Sequence, residues 1–315
     1  MTAPTNTFQT YQAVGNREDL SDIIHDISPT ATPFVSALEK VVATSTKHEW
    51  QTKSLTAASG SNAVIEGDDA TTDASNATVR RYNYTQISDK VAQVSGTQDV
   101  VKKAGRKSEM GMQMVDKMKE LKRDQEVVLL QNVASVAGGI STPRKSAGAM
   151  AWIRTNVSKA ADGTLSTGDG TDIYTTGTAR ALVETFTTSA LALAWDAGGE
   201  PTMGILGKFQ KMQVAQYSGS STKTSNGDAK KVTNSVDVYV DPLGNEIKFV
   251  PCRQAPTGAV MMFDMEHVKL AVLRDYETSP LAKTGDSERK QILTEYCLEM
   301  GNEAAHAAVY DLTTA

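Results

Sequence analysis

The sequence predicts an α+β protein, and three observations carry that reading. Strong helix formers dominate 106–136, segments of period-two alternation lie on either side of them, and apolar residues are spread along the whole chain of 315 residues. At this length about 75% of the unfolded chain's surface can be buried, so an ordered core is expected rather than disorder. No stretch approaches the roughly 18 apolar residues of a membrane span. The opening MTAPTNTFQTYQ lacks a basic region followed by an apolar run, so no secretory signal is expected. Cys252 and Cys297 are too few for a disulfide framework, and point to a reduced, intracellular setting. A net charge of −5 gives no general affinity for nucleic acid, although a local basic face remains compatible with it. Aromatic residues make up only 6% of the chain, which leaves few ring anchors for a deep small-molecule pocket.

The elements follow in chain order. Residues 1–12 are polar and without period. Leu20, Ile23, Ile24 and Ile27 then recur at helical spacing, with Asp19, Asp22 and Asp26 on the other side, and Pro29 and Pro33 act as stops. Such a short amphipathic helix on a polar tether needs a surface to dock on. The segment 46–55 alternates with period two. VRRYNYTQISDKVAQV (79–94) is rich in β-branched and tyrosine residues, so the two read as a hairpin joined by a long Gly/Asp/Ser/Thr loop. Its strands hold too few large apolar residues to bury both faces, so the hairpin is expected to project. The helix at 106–136 would be about 45 Å long. Its apolar stripe is Met114, Met118, Leu121, Val128 and Val136, its solvent-side pairs are Asp116 with Lys119 and Glu120 with Arg123, and Gly138-Gly139 stops it. A Gly/Thr/Asp loop (155–178), a helix (179–195), a strand near 203–206 and a helix near 208–217 come next. A polar tip (218–231), a hairpin around Asp241–Asn245, and strands at 259–263, 268–273 and 291–300 complete the chain.

Each motif that might carry chemistry is better explained without it. Lys283-Thr284-Gly285 matches one element of serine β-lactamases. The required Ser-x-x-Lys occurs only at Ser220…Lys223, in a low-complexity stretch, and at Ser287…Lys290, two residues after the triplet, and no Ser-Asp-Asn exists. Glu303-x-x-His306 has di-iron spacing but no second copy. His25, His48 and His267 are isolated, and neither His-Glu-x-x-His nor Cys-x-x-Cys appears. The run DGTLSTGDGTD (162–172) lacks the ligand spacing of a calcium loop. No glycine-rich phosphate cradle is present. No catalytic, cofactor-binding or metal residue is therefore expected. Lys102, Lys103, Arg106 and Lys107 form the one dense basic cluster, without the interleaved aromatics that stack single-stranded bases.

Several segments carry a family resemblance. VGNREDLSDIIHDISPTATPF (14–34), Trp50-Gln51-Thr52 with Asn83-Tyr84-Thr85-Gln86-Ile87, and VSGTQ (94–98) resemble the major capsid proteins of tailed bacteriophages. So do Ala104-Gly105-Arg106, ELKRD (120–124), Arg144-Lys145 and LAKTGDS (281–287). The resemblance is to the Hong Kong 97-type fold. It implies an N-terminal arm at 1–45, an extended β-hairpin loop at 46–95 and a peripheral domain at 96–179 with a spine helix at 106–136. An axial domain at 180–262 and a return to the peripheral domain at 263–315 complete the assignment. The implied function is a structural one: self-assembly into hexamers and pentamers of an icosahedral head around double-stranded DNA, within a virion assembled in the bacterial cytoplasm. Its partners would be other copies of the chain, scaffolding, decoration and portal proteins, and DNA bound non-specifically, with no membrane. Expected intersubunit contacts are Ile23, Ile24, Ile27 and Trp50, and an acidic loop tip (Glu66, Asp68, Asp69, with Asp73) facing Lys102, Lys103, Arg106 and Lys107 or leaving those cations to the lumen. The alternatives are an encapsulin-like compartment of the same fold and a Ser/Lys-type hydrolase.

Overall fold

A computed structural model describes residues 7, 28–70, 72–73, 75–103, 105–217 and 238–314. The apolar face at Leu20, Ile23, Ile24 and Ile27 and the polar tip at 218–231 lie outside the described residues. Pro33, expected as a stop, opens a helix instead: α1 (Pro33–Ala37) places it in the first turn, where a missing N–H costs nothing. β1 (Glu39–Val42) follows, then the hairpin strands β2 (Lys47–Thr52) and β3 (Val79–Tyr84), paired antiparallel from Lys47 opposite Tyr84 to Thr52 opposite Val79.

The single strand expected over 79–94 is two. It breaks at Thr85, whose N–H donates to the Thr46 carbonyl (2.9 Å) and whose hydroxyl donates to Glu295 Oε1 (2.8 Å). Beyond the break, β4 (Gln86–Ser95) joins a different sheet, so the projecting element is 47–84. A short helix absent from the sequence reading, α2 (Gly96–Val100), is capped by the Ser95 hydroxyl.

The long helix α3 spans Glu109–Leu130 rather than 106–136, about 33 Å. Ser108 sets its start by accepting the Gly111 N–H at 3.1 Å. Its end is set by tertiary contact: Gly148 lies so close that a Cβ there would sit 2.0 Å from the Gln131 carbonyl oxygen, and Val136 is drawn into a bridge with Lys145. Glu109, Met110, Leu121, Gln125, Glu126, Leu129 and Leu130 are its buried residues, whereas Met118 stays 37% exposed. Asp116 pairs with Lys119 as expected (3.7 Å), but Glu120 pairs with Lys117 (2.9 Å) instead of Arg123.

Then come α4 (Ala149–Trp152), β5 (Val157–Ser158), α5 (Glu184–Asp196), β6 (Met203–Leu206), α6 (Lys208–Val214), β7 (Val238–Val240), β8 (Glu246–Pro251) and β9 (Val260–Phe263). The long strands β10 (Val268–Pro280) and β11 (Ser287–Met300) follow, with β12 (Ala307–Val309) last. One sheet has the order β1-β10-β11-β4, antiparallel except for the parallel β1–β10 pair, and α3 packs along β4 and β11. The other has the order β5-β12-β9-β6-β8-β7. It takes strands from 157–158 and 307–309 as well as from 203–263, so boundaries at 180 and 262 cut through a sheet rather than between units. The main core runs from Phe34 through Leu129, Trp152 and Phe263 to Tyr296 and Tyr310, joining the arm to the C-terminal strands.

Asn83 fastens the hairpin to this body. Fully buried, it donates through Nδ2 to the Leu298 carbonyl (2.7 Å) and Ser146 Oγ (3.1 Å), and its Oδ1 accepts the N–H groups of Ala147 and Tyr84 (both 2.9 Å). We predict that Asn83→Ala lowers stability by about 3 kcal/mol, because buried partners lose their hydrogen bonds together. Urea denaturation of the dissociated subunit measures it, and a loss below about 1 kcal/mol would contradict this role.

Candidate assembly surfaces

The hairpin is held at its base and open at its tip. At the base, Glu295 is buried on β11 and takes charge from both sides: Arg144 Nη2 bonds its Oε1, and Arg274 Nε reaches Oε2 at 2.9 Å. Next to it His48 Nε2 lies 2.8 Å from Glu299 Oε2, linking β2 to β11. Trp50, expected at an intersubunit contact, packs on Trp152 of its own chain with ring centroids 5.3 Å apart and stays half-buried.

At the tip, Glu66, Asp68, Asp69 and Asp73 are all exposed, together with Leu55 (87%), Val64 (85%) and Ile65 (79%). The tip has local order: the Asp68 N–H closes a turn onto the Ile65 carbonyl (3.1 Å), and Gly67 at its third position has φ 86°, which only glycine adopts without strain. This turn presents Glu66 outward.

The basic cluster lies in the connection between α2 and α3. Two of its members are used locally. Lys103 donates to the Asp99 carbonyl (2.9 Å) and lies 3.9 Å from its carboxylate, at the end of α2 where the helix dipole favours a cation. Arg106 is paired with Glu109, whose carboxyl it holds below the usual range. Lys102 and Lys107 are exposed and have no ion pair among the described residues.

A buried carboxylate that the sequence reading passed over secures the arm. Glu126 on α3 accepts the N–H groups of Phe34 (2.8 Å) and Val35 (2.7 Å), capping the start of α1, and the Cys252 thiol donates to it at 3.4 Å. Its position three residues before Leu129 and four before Leu130 places it on the apolar face, which is the signal that marks it. Burial pushes its pKa up, partly offset by the two N–H donors.

The chemical candidates come apart. Ser287 and Lys290 are three apart on an extended strand and so face opposite ways; Lys290 pairs with Glu288 (3.1 Å). Glu303 accepts the N–H groups of Arg154 and Thr155, while His306 is buried and accepts the Asp264 N–H through Nδ1 (3.1 Å), its pKa pushed down by burial to about 3. Asp162 and Asp172 are taken up by threonine hydroxyl and N–H groups of their own loop, as is Asp169. Both cysteines are buried, and burial raises each thiol to about 12. Among the described residues no group of three or more His, Cys, Asp or Glu could hold a metal, and no helix is long and apolar enough to cross a membrane.

A stiffly based hairpin, a clamped arm and a long spine over one sheet are the parts that the Hong Kong 97-type resemblance implies. Solved structures agree on the fold: the capsid of cyanophage A-1(L) (TM-score 0.66, 11% identity, 98% of this chain and 99% of that one) and the capsid of a native GTA particle (0.63, 12%, 95% and 96%). The holo-SrpI encapsulin complex of Synechococcus elongatus is also similar (0.58, 10%, 95% and 93%). Family membership separates these. The model of the SU10 major capsid protein family matches residues 3–313, and the chain belongs to that family. The major capsid protein of Escherichia phage Phieco32 is 28% identical over 98% of both chains. The protein is thus a phage major capsid protein, a structural component of the virion and not an enzyme.

Glu126 gives a pH prediction. Its folded pKa is raised, so between its ordinary value of 4.5 and the raised value the folded state binds more protons than the unfolded one. Its contribution to stability therefore falls as pH rises through that window and is constant above it. Glu126→Gln removes this slope. Denaturant midpoints across the window, compared between wild type and Glu126→Gln, should diverge with pH, and parallel profiles would rule the coupling out.

Proposed function

We propose that the chain forms hexamers and pentamers that close into an icosahedral head around double-stranded DNA, with the hairpin tip lying on a neighbouring subunit. The observation that carries this is the contrast within 47–84: a base immobilised by Asn83 and His48, and a tip whose apolar and acidic side chains have nothing to cover them among the described residues. The hairpin is the expected extended loop, and the four-stranded sheet with α3 the expected peripheral domain. The six-stranded sheet with α5 and α6 is the axial domain, meeting its copies at the capsomer centre. Assembly takes place in the host cytoplasm, and scaffolding, decoration and portal proteins are further partners.

Within that assembly the tip carboxylates Glu66, Asp68 and Asp69 face a neighbour's Lys102 and Lys107, the two members of the basic cluster left without local pairs. Lys103 and Arg106 set the backbone of the connection instead. A net charge of −5 suits the enclosure of DNA, because a strongly basic lining would hold the genome and hinder its packing and release.

Negative-stain microscopy of the purified protein is expected to show closed shells or capsomer sheets, and dispersed monomers at every concentration would refute the reading. Lys102→Glu with Lys107→Glu should cut particle yield at least about tenfold, the size of a loss near 1.4 kcal/mol per contact. Asp68→Lys with Asp69→Lys in the same chain should recover most of it. Loss without recovery would count against the pairing.

A further inference from the structure

Strand β4 leaves one edge of the four-stranded sheet open. It stands last in the order β1-β10-β11-β4, and no backbone group among the described residues pairs with its outer side. An unpaired edge is a template for another chain, and proteins ordinarily blunt one by shortness, charge, proline or a bulge. The other edges here follow that rule. β1, β5 and β7 have four, two and three residues, and the hairpin strands carry Lys47, Glu49, Arg80 and Arg81. β4 has ten residues, no proline, and an unbroken register with β11 from Gln86 opposite Tyr296 to Ser95 opposite Ser287. Its one lysine, Lys90, is turned toward α3, where Nζ lies 2.7 Å from Asp124 Oδ2.

The side chains beside this edge suit a copy of the same strand. Ile87, Asp89, Val91, Gln93 and Ser95 are exposed, while Ala92 and Val94 alternate with them and pack with Met110 of α3. Gln291 Nε2 donates to Asp89 Oδ2 (2.6 Å) and Gln93 Nε2 to Ser287 Oγ (3.0 Å), so β11 holds the exposed row in place. A strand that pairs antiparallel with its own copy sets one residue opposite itself. Centred on Asp89 or Lys90, the pairing would face like charges, which is destabilising. Centred on Ala92, it would align only 89–95. Centred on Val91, it aligns 87–95, faces Val91 with its copy, and puts Asp89 opposite an amide at Gln93.

We infer that β4 pairs antiparallel with β4 of a second copy about a two-fold axis at Val91, making a continuous sheet across two subunits. The inference builds on the assembly proposed above and adds a contact that links its capsomers. Rings are built head to tail from two different patches, whereas a two-fold contact uses one patch twice and can join a subunit of one ring to a subunit of another.

Single cysteines test the pairing and its register. The two native thiols are buried, so a cysteine in the exposed row is the reactive one. Facing residues of an antiparallel pair lie within disulfide reach, whereas Asp89 and its copy would stand roughly 13 Å apart. On mild oxidation of assembled full-length protein, Val91→Cys alone is expected to link most chains as dimers. Asp89→Cys alone and Gln93→Cys alone are expected to give none, and the two co-assembled to give linked dimers. Val91→Lys sets like charges face to face and should cut particle yield at least about tenfold, while Gln93→Lys meets Asp89 and should leave it within about twofold. Closed particles without a link at Val91, a self-link at Asp89 or Gln93, or full yield from Val91→Lys would each overturn the inference and leave the shell reading standing. Linked Val91→Cys dimers without any shell would support the pairing and refute that reading. Hydrogen exchange needs no substitution: amides within 89–93 that face outward should exchange at least about tenfold more slowly in particles than in dissociated subunits. Equal rates overturn the proposal.

Discussion

The amide of Asn83 sits where the hairpin leaves the body, and the arrangement of the subunit depends on what it joins. It satisfies backbone groups of β3, of the 146–147 segment and of β11 at once, in a place from which water is excluded. A buried donor or acceptor left open costs about 1–3 kcal/mol, so none of these segments can shift without the others. Thr85 and Glu295 add a second tie two residues further on, with Arg144 and Arg274 neutralising the buried carboxylate. Together they convert a two-stranded ribbon, which alone is marginally stable in water, into a lever with a fixed root.

The same logic holds where the arm joins the body. α1 is only five residues long and could not persist alone. It does so because Phe34 enters the main core and Glu126 receives the N–H groups at its start. The spine helix therefore serves as the common support: its buried face carries the core residues Leu129 and Leu130, the cap for the arm at Glu126, and the partner of Tyr276 at Gln125. A carboxylate is an expensive way to hold an arm, since burial raises its pKa, but it places two directed bonds where an apolar side chain would place none.

Much of this was legible from residue pattern, and the parts that were not share a cause. Period-two alternation located β2 and β11, the turn residues at Asp241–Asn245 located β8, and strong helix formers located α3, because each of those signals is local. The split at Thr85 was hidden, since β-branched and tyrosine residues run straight through it, and only the bonds to Thr46 and Glu295 break the strand. The end of α3 was hidden for the same reason: Val133 and Val136 continue the apolar spacing, but the backbone of Gly148 occupies the space the next turn would need. The stacking of Trp50 on Trp152 was hidden because the two lie a hundred residues apart. The basic cluster read as four equivalent charges, and two of them turned out to be occupied by Asp99 and Glu109, which their spacing of four and three residues could have indicated. Ordering of the family segments along the chain carried the class of protein further than any one motif did.

The size of the exposed apolar surface also bears on how such a shell forms. Leu55, Val64 and Ile65 at the hairpin tip are nearly fully exposed, and burying all three on a neighbour is worth on the order of 6 kcal/mol. Bringing two subunits together costs about 4–15 kcal/mol in lost freedom, so one tip on one neighbour does not hold a pair. In the proposed assembly a subunit in a closed ring gives one tip and receives another, and a further contact between already positioned subunits repeats little of that cost. Assembly is then favourable only in arrays where each chain touches several others. An isolated misplaced contact is weak enough to come apart, and the acidic residues around the tip keep free subunits from clustering through it. The three exposed aliphatic residues and their ring of carboxylates are therefore better read as a reversible coupling than as a defect in the fold of the monomer.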